Sequence, residues 1–175
     1  MGNVALIGLM GSGKSTLGAM LAQKLERKFI DVDQEIERES GQTIPELFDR
    51  GEHVFRALES EITRKLCTQN AVMACGGGVV LCPENVKALR ESGLVVFIDR
   101  PVEKILEDVV VAHRPLLKNG PEALIEIDKA RSDLYRETSH AIILNDADEQ
   151  TALEKLLETV KAWEGKQWSS LWDWA

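Results

Sequence analysis

The sequence predicts an α/β fold of three α/β/α layers, built on a five-stranded, mostly parallel sheet with helices on both faces. Two observations carry this expectation. Short apolar runs alternate along the chain with longer stretches of helical periodicity, as strands buried on both faces and joined by crossover helices require. The first apolar run also leads into a glycine-rich segment and then an amphipathic stretch, the order of a strand, a tight turn and a helix. At 175 residues, 44% of them hydrophobic, one domain spanning residues 1–175 is expected.

The candidate strands are residues 4–7, 29–32, 71–74, 95–98 and 141–144, each followed by a turn signal or a helical segment. After the first, Leu17, Met20, Leu21 and Leu25 recur at intervals of three and four, which predicts a helix over about 14–27 with one apolar stripe on the sheet. A further helix is expected over 34–40. Thr43, Pro45 and Glu46 together read as a helix start, with a capping threonine, a first-turn proline and a glutamate that closes a capping box. Gly41, Gly51 and Gly93 each follow a helical stretch and are expected to end it in the left-handed conformation. Residues 109–120 have no clear period and contain Arg114 and Pro115, so they read as a loop between two helices and a candidate lid. Gly165 is expected to break the last helix, leaving a tryptophan-rich tail over 164–175 in which Trp168, Leu171 and Trp172 form a final aromatic turn.

Composition narrows the partners. The net charge is −8, with acids and bases interleaved, which argues against a nucleic acid or an anionic membrane and in favour of small molecules. The start of the chain lacks a basic segment followed by an apolar stretch, and no run approaches the ~20 apolar residues of a membrane span, so a cytoplasmic protein is expected. Cys67, Cys75 and Cys82 are odd in number and lack paired CxxC spacing, which predicts reduced thiols and no cysteine metal site.

The strongest chemical signal is Gly8-Leu9-Met10-Gly11-Ser12-Gly13-Lys14-Ser15, a G-x-x-x-x-G-K-[ST] motif at the end of a predicted strand and the start of a predicted helix. Its backbone N–H groups can wrap an anion at a helix N-terminus, Lys14 can neutralise the β and γ phosphates, and the Ser15 hydroxyl can ligate magnesium. Gly11, Ser12, Gly13, Lys14, Ser15 and Thr16 are therefore the expected ATP-binding residues. Such a loop serves motors, GTPases, transporters and kinases alike, so the acceptor has to be read elsewhere.

Three further features address it. Asp31 and Asp33 alternate at the end of the second strand, so both carboxylates can face the crevice above the sheet; they also suit the N-terminus of the following helix. Gly76-Gly77-Gly78 follows the third strand, where residues without side chains let a substrate approach the backbone, although a flexible connector has the same composition. Arg56 stands three residues before Glu59 on a helical stretch, where the glutamate can hold the guanidinium toward an acidic acceptor; surface pairs of this spacing are also common.

Taken in order, GLMGSGKST, FIDVD, GEHVFRALE, CGGGVV, RPLL and RSDLY, spread over residues 4–135, resemble shikimate kinase. The resemblance implies a P-loop fold of the nucleoside-monophosphate-kinase kind, with an acceptor-binding segment at about 31–60 and a lid at about 109–120. It implies magnesium-dependent transfer of the γ-phosphoryl group of ATP to the 3-hydroxyl of shikimate, in chorismate and aromatic amino-acid biosynthesis, by a monomer. Under it, Lys14 and Ser15 hold phosphates and magnesium, and Asp31 supports the metal through water. Asp33 takes the acceptor hydroxyls. Arg56, oriented by Glu59, joins Arg131 and the backbone of Gly77 and Gly78 in gripping the carboxylate and ring. Arg114 closes over the transferring group, so Lys14, Asp33 and Arg114 are the implied catalytic residues. One departure stands out: the family usually carries an adenine-stacking arginine after the preceding helix, and LEDVVVAH at 106–113 contains none. Asn145, Asp146 and Ala147 read either as the other side of the adenine pocket or as a simple turn. Other readings are a kinase of another small polyhydroxy acid and a non-catalytic nucleotide or metabolite sensor.

Overall fold

Five strands run parallel in one sheet: β1 (Asn3–Ile7), β2 (Phe29–Asp31), β3 (Val72–Ala74), β4 (Gly93–Asp99) and β5 (Ala141–Leu144), in the order β2-β3-β1-β4-β5. The structure, a computed structural model, describes residues 2–108 and 121–172, with Pro121 and residues 166–172 described by backbone alone. The expected lid at 109–120, with Arg114 and Pro115, lies outside them, as do the side chains of Trp168, Leu171 and Trp172.

The helices between the strands are α1 (Lys14–Leu25), α2 (Val32–Ser40), α3 (Ile44–Asp49), α4 (Glu52–Leu66), α5 (Pro83–Ser92), α6 (Val102–Asp108) and α7 (Pro121–Thr138), and α8 (Glu149–Trp172) follows the last strand. Alternation along β1 builds two cores. Ala5 and Ile7 pack with Ile36, Phe55, Ile62, Leu89 and Tyr135 of α2, α4, α5 and α7. Val4 and Leu6 face the other way, onto Leu17 and Leu21 of α1 and Leu153, Leu156 and Val160 of α8. This is the three-layer arrangement expected from the sequence. Chain order reverses beside β1, since β2 and β3 lie on one side of it and β4 and β5 on the other. The loop after β1 therefore opens at a topological switch point, where α/β sheets place their ligands.

Several boundaries differ from the expectation, each for a local reason. β2 stops at Asp31 because that carboxylate accepts from the backbone N–H groups of Asp33 and Gln34 and caps α2, which starts at Val32. The Thr43 cap and its reciprocal Glu46 bond are present. Gly41 ends α2 in the left-handed conformation, φ 68°. Gly51 and Gly93 do not. Gly51, at φ 121°, leads into α4, while Gly93 opens β4, where a Cβ would fall 2.2 Å from the carbonyl oxygen of Asn3 on β1. Nor does Gly165 break the last helix, for α8 continues through it to Trp172. A helical glycine costs only about 1 kcal/mol, and the residues just before it are anchored: the Trp163 ring packs tilted against His140, centroids 4.7 Å apart, and Glu164 pairs with Arg27.

His140 makes the joint between β4 and β5 sensitive to acid. Its Nδ1 accepts from Val95 N at 3.0 Å while its own N–H donates to Val95 O at 2.8 Å. Burial, aided by the Arg90 charge, lowers its pKa from the ordinary 6.5. A base whose folded pKa is depressed gives stability that is complete above its unfolded pKa and is lost as pH falls through the folded value. Protonation would leave the Val95 N–H facing an imidazolium, at a cost of about 1–2 kcal/mol. Thermal melts should therefore fall more steeply below pH 6.5 in the wild type than in His140→Gln; equal slopes would remove this assignment.

Candidate active site

The loop after β1 is drawn together by its own lysine. Lys14 opens α1 at the carboxyl end of β1, and its buried Nζ donates to Gly8 O at 2.9 Å and Leu9 O at 2.7 Å, with Ser12 Oγ at 3.5 Å. The loop is braced from β5: Asn145, nearly fully buried, donates Nδ2 to Ser12 O at 2.9 Å. Gly13 has φ 94°, and a Cβ there would meet the same Nδ2 at 2.7 Å, so both backbone conformation and space call for glycine. Asn145 thus does something neither sequence reading anticipated, since it buttresses the phosphate loop from below.

Beside the loop, Ser15 Oγ donates to Asp31 Oδ2 at 2.6 Å. Asp33 is the second residue of α2 rather than part of the strand, so the two carboxylates come together by a capping geometry and not by strand alternation. Across from them stands the glycine turn after β3. A Cβ on Gly76 would meet Asp33 Oδ1 at 2.7 Å and Glu59 Oε1 at 3.0 Å, and one on Gly78 would meet both terminal nitrogens of Arg56 at 2.3 Å. Gly76 and Gly78 are a seat for charged side chains rather than part of a flexible connector.

Arg56 is held by two glutamates on its own face of α4, one turn before it and one turn after. Its Nη1 donates to Glu59 Oε2 at 2.7 Å, while Nε and Nη2 share Glu52 Oε1 at 3.2 and 3.0 Å. Burial works against the Arg56 charge, but Glu59 and Glu52 more than offset it and raise its pKa. Burial pushes the Glu59 carboxyl above its ordinary range and Arg56 pulls it back. We hold the pair to be ionised at neutral pH, because the direct bridge places the carboxylate against a guanidinium that does not give up its proton. Glu59 Oε1 is buried with no hydrogen-bond partner among the described residues and faces the glycine turn.

From α7, Arg131 donates Nη1 to Gly77 O at 3.0 Å and Tyr135 donates Oη to the same oxygen at 2.5 Å. Lys14, Ser15, Asp31, Asp33, Arg56, Glu59, Gly76, Gly77, Gly78 and Arg131 line one cleft of about 580 Å³, and Tyr135 and Asn145 act on its wall without lining it. Gly11, Gly13 and Thr16 line the cleft as well, whereas Ser12 is fully buried and does not, nor do Asn145, Asp146 and Ala147; Arg114 lies outside the described residues. Arg100, at the end of β4 and paired with Asp108, also lines the cleft. Sequence reasoning passed over it and Tyr135; for the tyrosine, its place one turn after Arg131 in RSDLY was the available signal.

Comparison with known proteins agrees with this geometry. A family model described as shikimate kinase matches residues 10–161. The chain is 46% identical over 159 residues to a shikimate kinase of Clostridium botulinum (strain Alaska E43 / Type E3), covering 90% of this chain and 94% of the relative. It is 49% identical over 143 residues to a shikimate kinase of Clostridium botulinum (strain Eklund 17B / Type B), covering 81% and 87%. Among solved structures, shikimate kinase from Acinetobacter baumannii in complex with shikimate superposes with a TM-score of 0.88 at 37% identity, covering 93% of this chain and 94% of that one. With the phosphate loop, the glycine seat and the two arginines meeting in one cleft, the chain belongs to the shikimate kinase family.

Proposed function

We infer that the protein is a shikimate kinase, transferring the γ-phosphoryl group of ATP to the 3-hydroxyl of shikimate to give shikimate 3-phosphate and ADP, in chorismate and aromatic amino-acid biosynthesis. One observation carries the choice of acceptor: Arg56, Arg131 and Asp33 line the same cleft as the phosphate loop. A small acid with several hydroxyls suits that set. Its carboxylate would take the guanidinium fork of Arg56 that the exposed Glu52 now occupies, together with Arg131, while Asp33 hydrogen-bonds the reacting hydroxyl. The relative from Acinetobacter baumannii, in complex with shikimate, supports the same acceptor here.

Phosphoryl transfer passes through a loose transition state with charge on the equatorial oxygens, so positioning and cations dominate. The N–H groups of residues 11–16 wrap the β and γ phosphates and Lys14 moves its ammonium onto them. Arg114, on the resemblance, closes over the group in flight. Asp33 orients the acceptor hydroxyl, and such a transition state asks for little base catalysis. Ser15 and Asp31 fit magnesium: a hydroxyl and a carboxylate, 2.6 Å apart beside the phosphate cradle, are oxygen donors of the kind that bind this ion through phosphates and water. Bound there, the ion would supply charge neutralisation at the phosphates. The reading also includes a cytoplasmic monomer acting on small molecules, and the net charge of −8 weighs against nucleic acid and anionic membranes. Among the described residues no helix is long and apolar enough to cross a membrane.

A coupled assay of ADP release tests the function. Turnover with shikimate and not with gluconate or quinate supports it; no shikimate-dependent release at saturating ATP and magnesium removes it. For the metal, Asp31→Asn keeps the α2 cap, since asparagine caps as well as aspartate. It should raise the magnesium concentration for half-maximal rate about tenfold while leaving the melting temperature nearly unchanged. An unaltered magnesium titration would discard Asp31 as its support.

A further inference from the structure

Two side chains of α7 share one carbonyl. Arg131 Nη1 and Tyr135 Oη both donate to Gly77 O, at 3.0 and 2.5 Å, so both lone pairs of that oxygen are used. Gly77 itself borders the phosphate loop: a Cβ there would come into ordinary contact with Met10 N at 3.4 Å and Gly8 O at 3.5 Å. The position of this one carbonyl therefore joins the acceptor half of the cleft to the nucleotide half.

Tyr135 is built for a fixed role. It is fully buried, its ring stacks on Phe97 with centroids 5.1 Å apart, and burial pushes its phenol up to about 12, so it stays a neutral donor at working pH. A phenylalanine would fill the same space, so ring packing alone does not explain the hydroxyl. Arg131, by contrast, has to serve two acceptors. A carboxylate gripped bidentately needs two parallel N–H groups, and one of the five that Arg131 carries is committed to Gly77 O.

We propose that Tyr135 is a positioning residue of the acceptor site: it holds the Gly77 carbonyl so that Arg131 can turn its guanidinium to the acceptor carboxylate while the glycine turn stays seated on the phosphate loop. The inference rests on the acceptor reading given above. Without the phenol, the buried carbonyl competes with the acceptor for Arg131, because leaving it unpaired is costly. The loss then falls on acceptor affinity and passes through Arg131, leaving phosphate binding alone.

Steady-state kinetics on Tyr135→Phe, Arg131→Ala and the double variant test this. Tyr135→Phe should raise the KM for shikimate about tenfold, with kcat and the KM for ATP within about threefold of wild type, and should add less than about twofold in the Arg131→Ala background. With an active wild type, an unchanged shikimate KM in Tyr135→Phe, or an equal rise in both backgrounds, overturns the proposal. A wild type without shikimate-dependent ADP release removes the functional reading and this inference with it. A second readout needs no substitution at 135. The chain holds one tyrosine, so 3-fluorotyrosine labels this site alone. Shikimate should shift its fluorine resonance saturably in the wild type and not in Arg131→Ala; an unmoved wild-type resonance also overturns the proposal.

Discussion

Lys14→Ala should lower kcat by about a thousandfold or more, the scale of losing a preorganised charge from a site where negative charge develops. The ammonium already sits on the loop that will hold the phosphates, bonded to Gly8 O and Leu9 O, so the nucleotide draws it over a short path within a buried site. The loop's N–H groups remain in the variant, and ADP affinity should therefore fall much less than kcat. The two carbonyls that Lys14 gathers lose a donor as well, which a modest drop in melting temperature would register. Measured together, kcat, ADP dissociation constant and melting temperature separate catalysis from folding. A kcat within about tenfold of wild type in a folded variant would mean that phosphoryl transfer does not occur at this loop.

The phosphate loop was legible because its chemistry lies in eight contiguous residues, in the strand-to-helix setting that the motif requires. The sheet was legible for a related reason: parallel strands covered on both faces read as unbroken apolar runs, and all five emerged with their centres in place. Where sequence reasoning missed, two roles met on one residue or a contact joined distant segments. Asp31 and Asp33 were brought to the site by a strand-face argument, yet Asp31 is the cap of α2 and Asp33 lies inside that helix. Their place in the cleft survives the change of mechanism because both still sit at the carboxyl end of β2. Asn145 acts across 133 positions and Tyr135 across 58, and no local pattern marks which carbonyl a buried amide or phenol will find. The Gly165 expectation failed because local propensity is weak beside the packing of Trp163 and the ion pair of Glu164.

The acceptor side carries the second large effect. Arg56→Ala should raise the KM for shikimate about a hundredfold, the cost of leaving a substrate carboxylate without a charged partner being about 3 kcal/mol, while ADP binding stays close to wild type. Arg131→Ala should do the same. The complication is Glu59: it is buried, its Oε2 is bonded to Arg56, and burial already pushes its carboxyl upward. Truncating Arg56 removes the charge that pulls it back, so its folded pKa rises further. An acid with a raised folded pKa contributes stability present below its unfolded value and lost as pH rises through the folded one. Arg56→Ala should therefore be less stable at pH 8 than at pH 5, relative to wild type, because an uncompensated carboxylate then has to be buried. Adding Glu59→Gln removes that charge and should restore much of the stability at pH 8 without restoring the KM. That split distinguishes an arginine that grips the acceptor from one that only neutralises a glutamate: if the double variant recovered shikimate affinity along with stability, Arg56 would be a structural partner of Glu59 and the acceptor's carboxylate would have to be bound elsewhere.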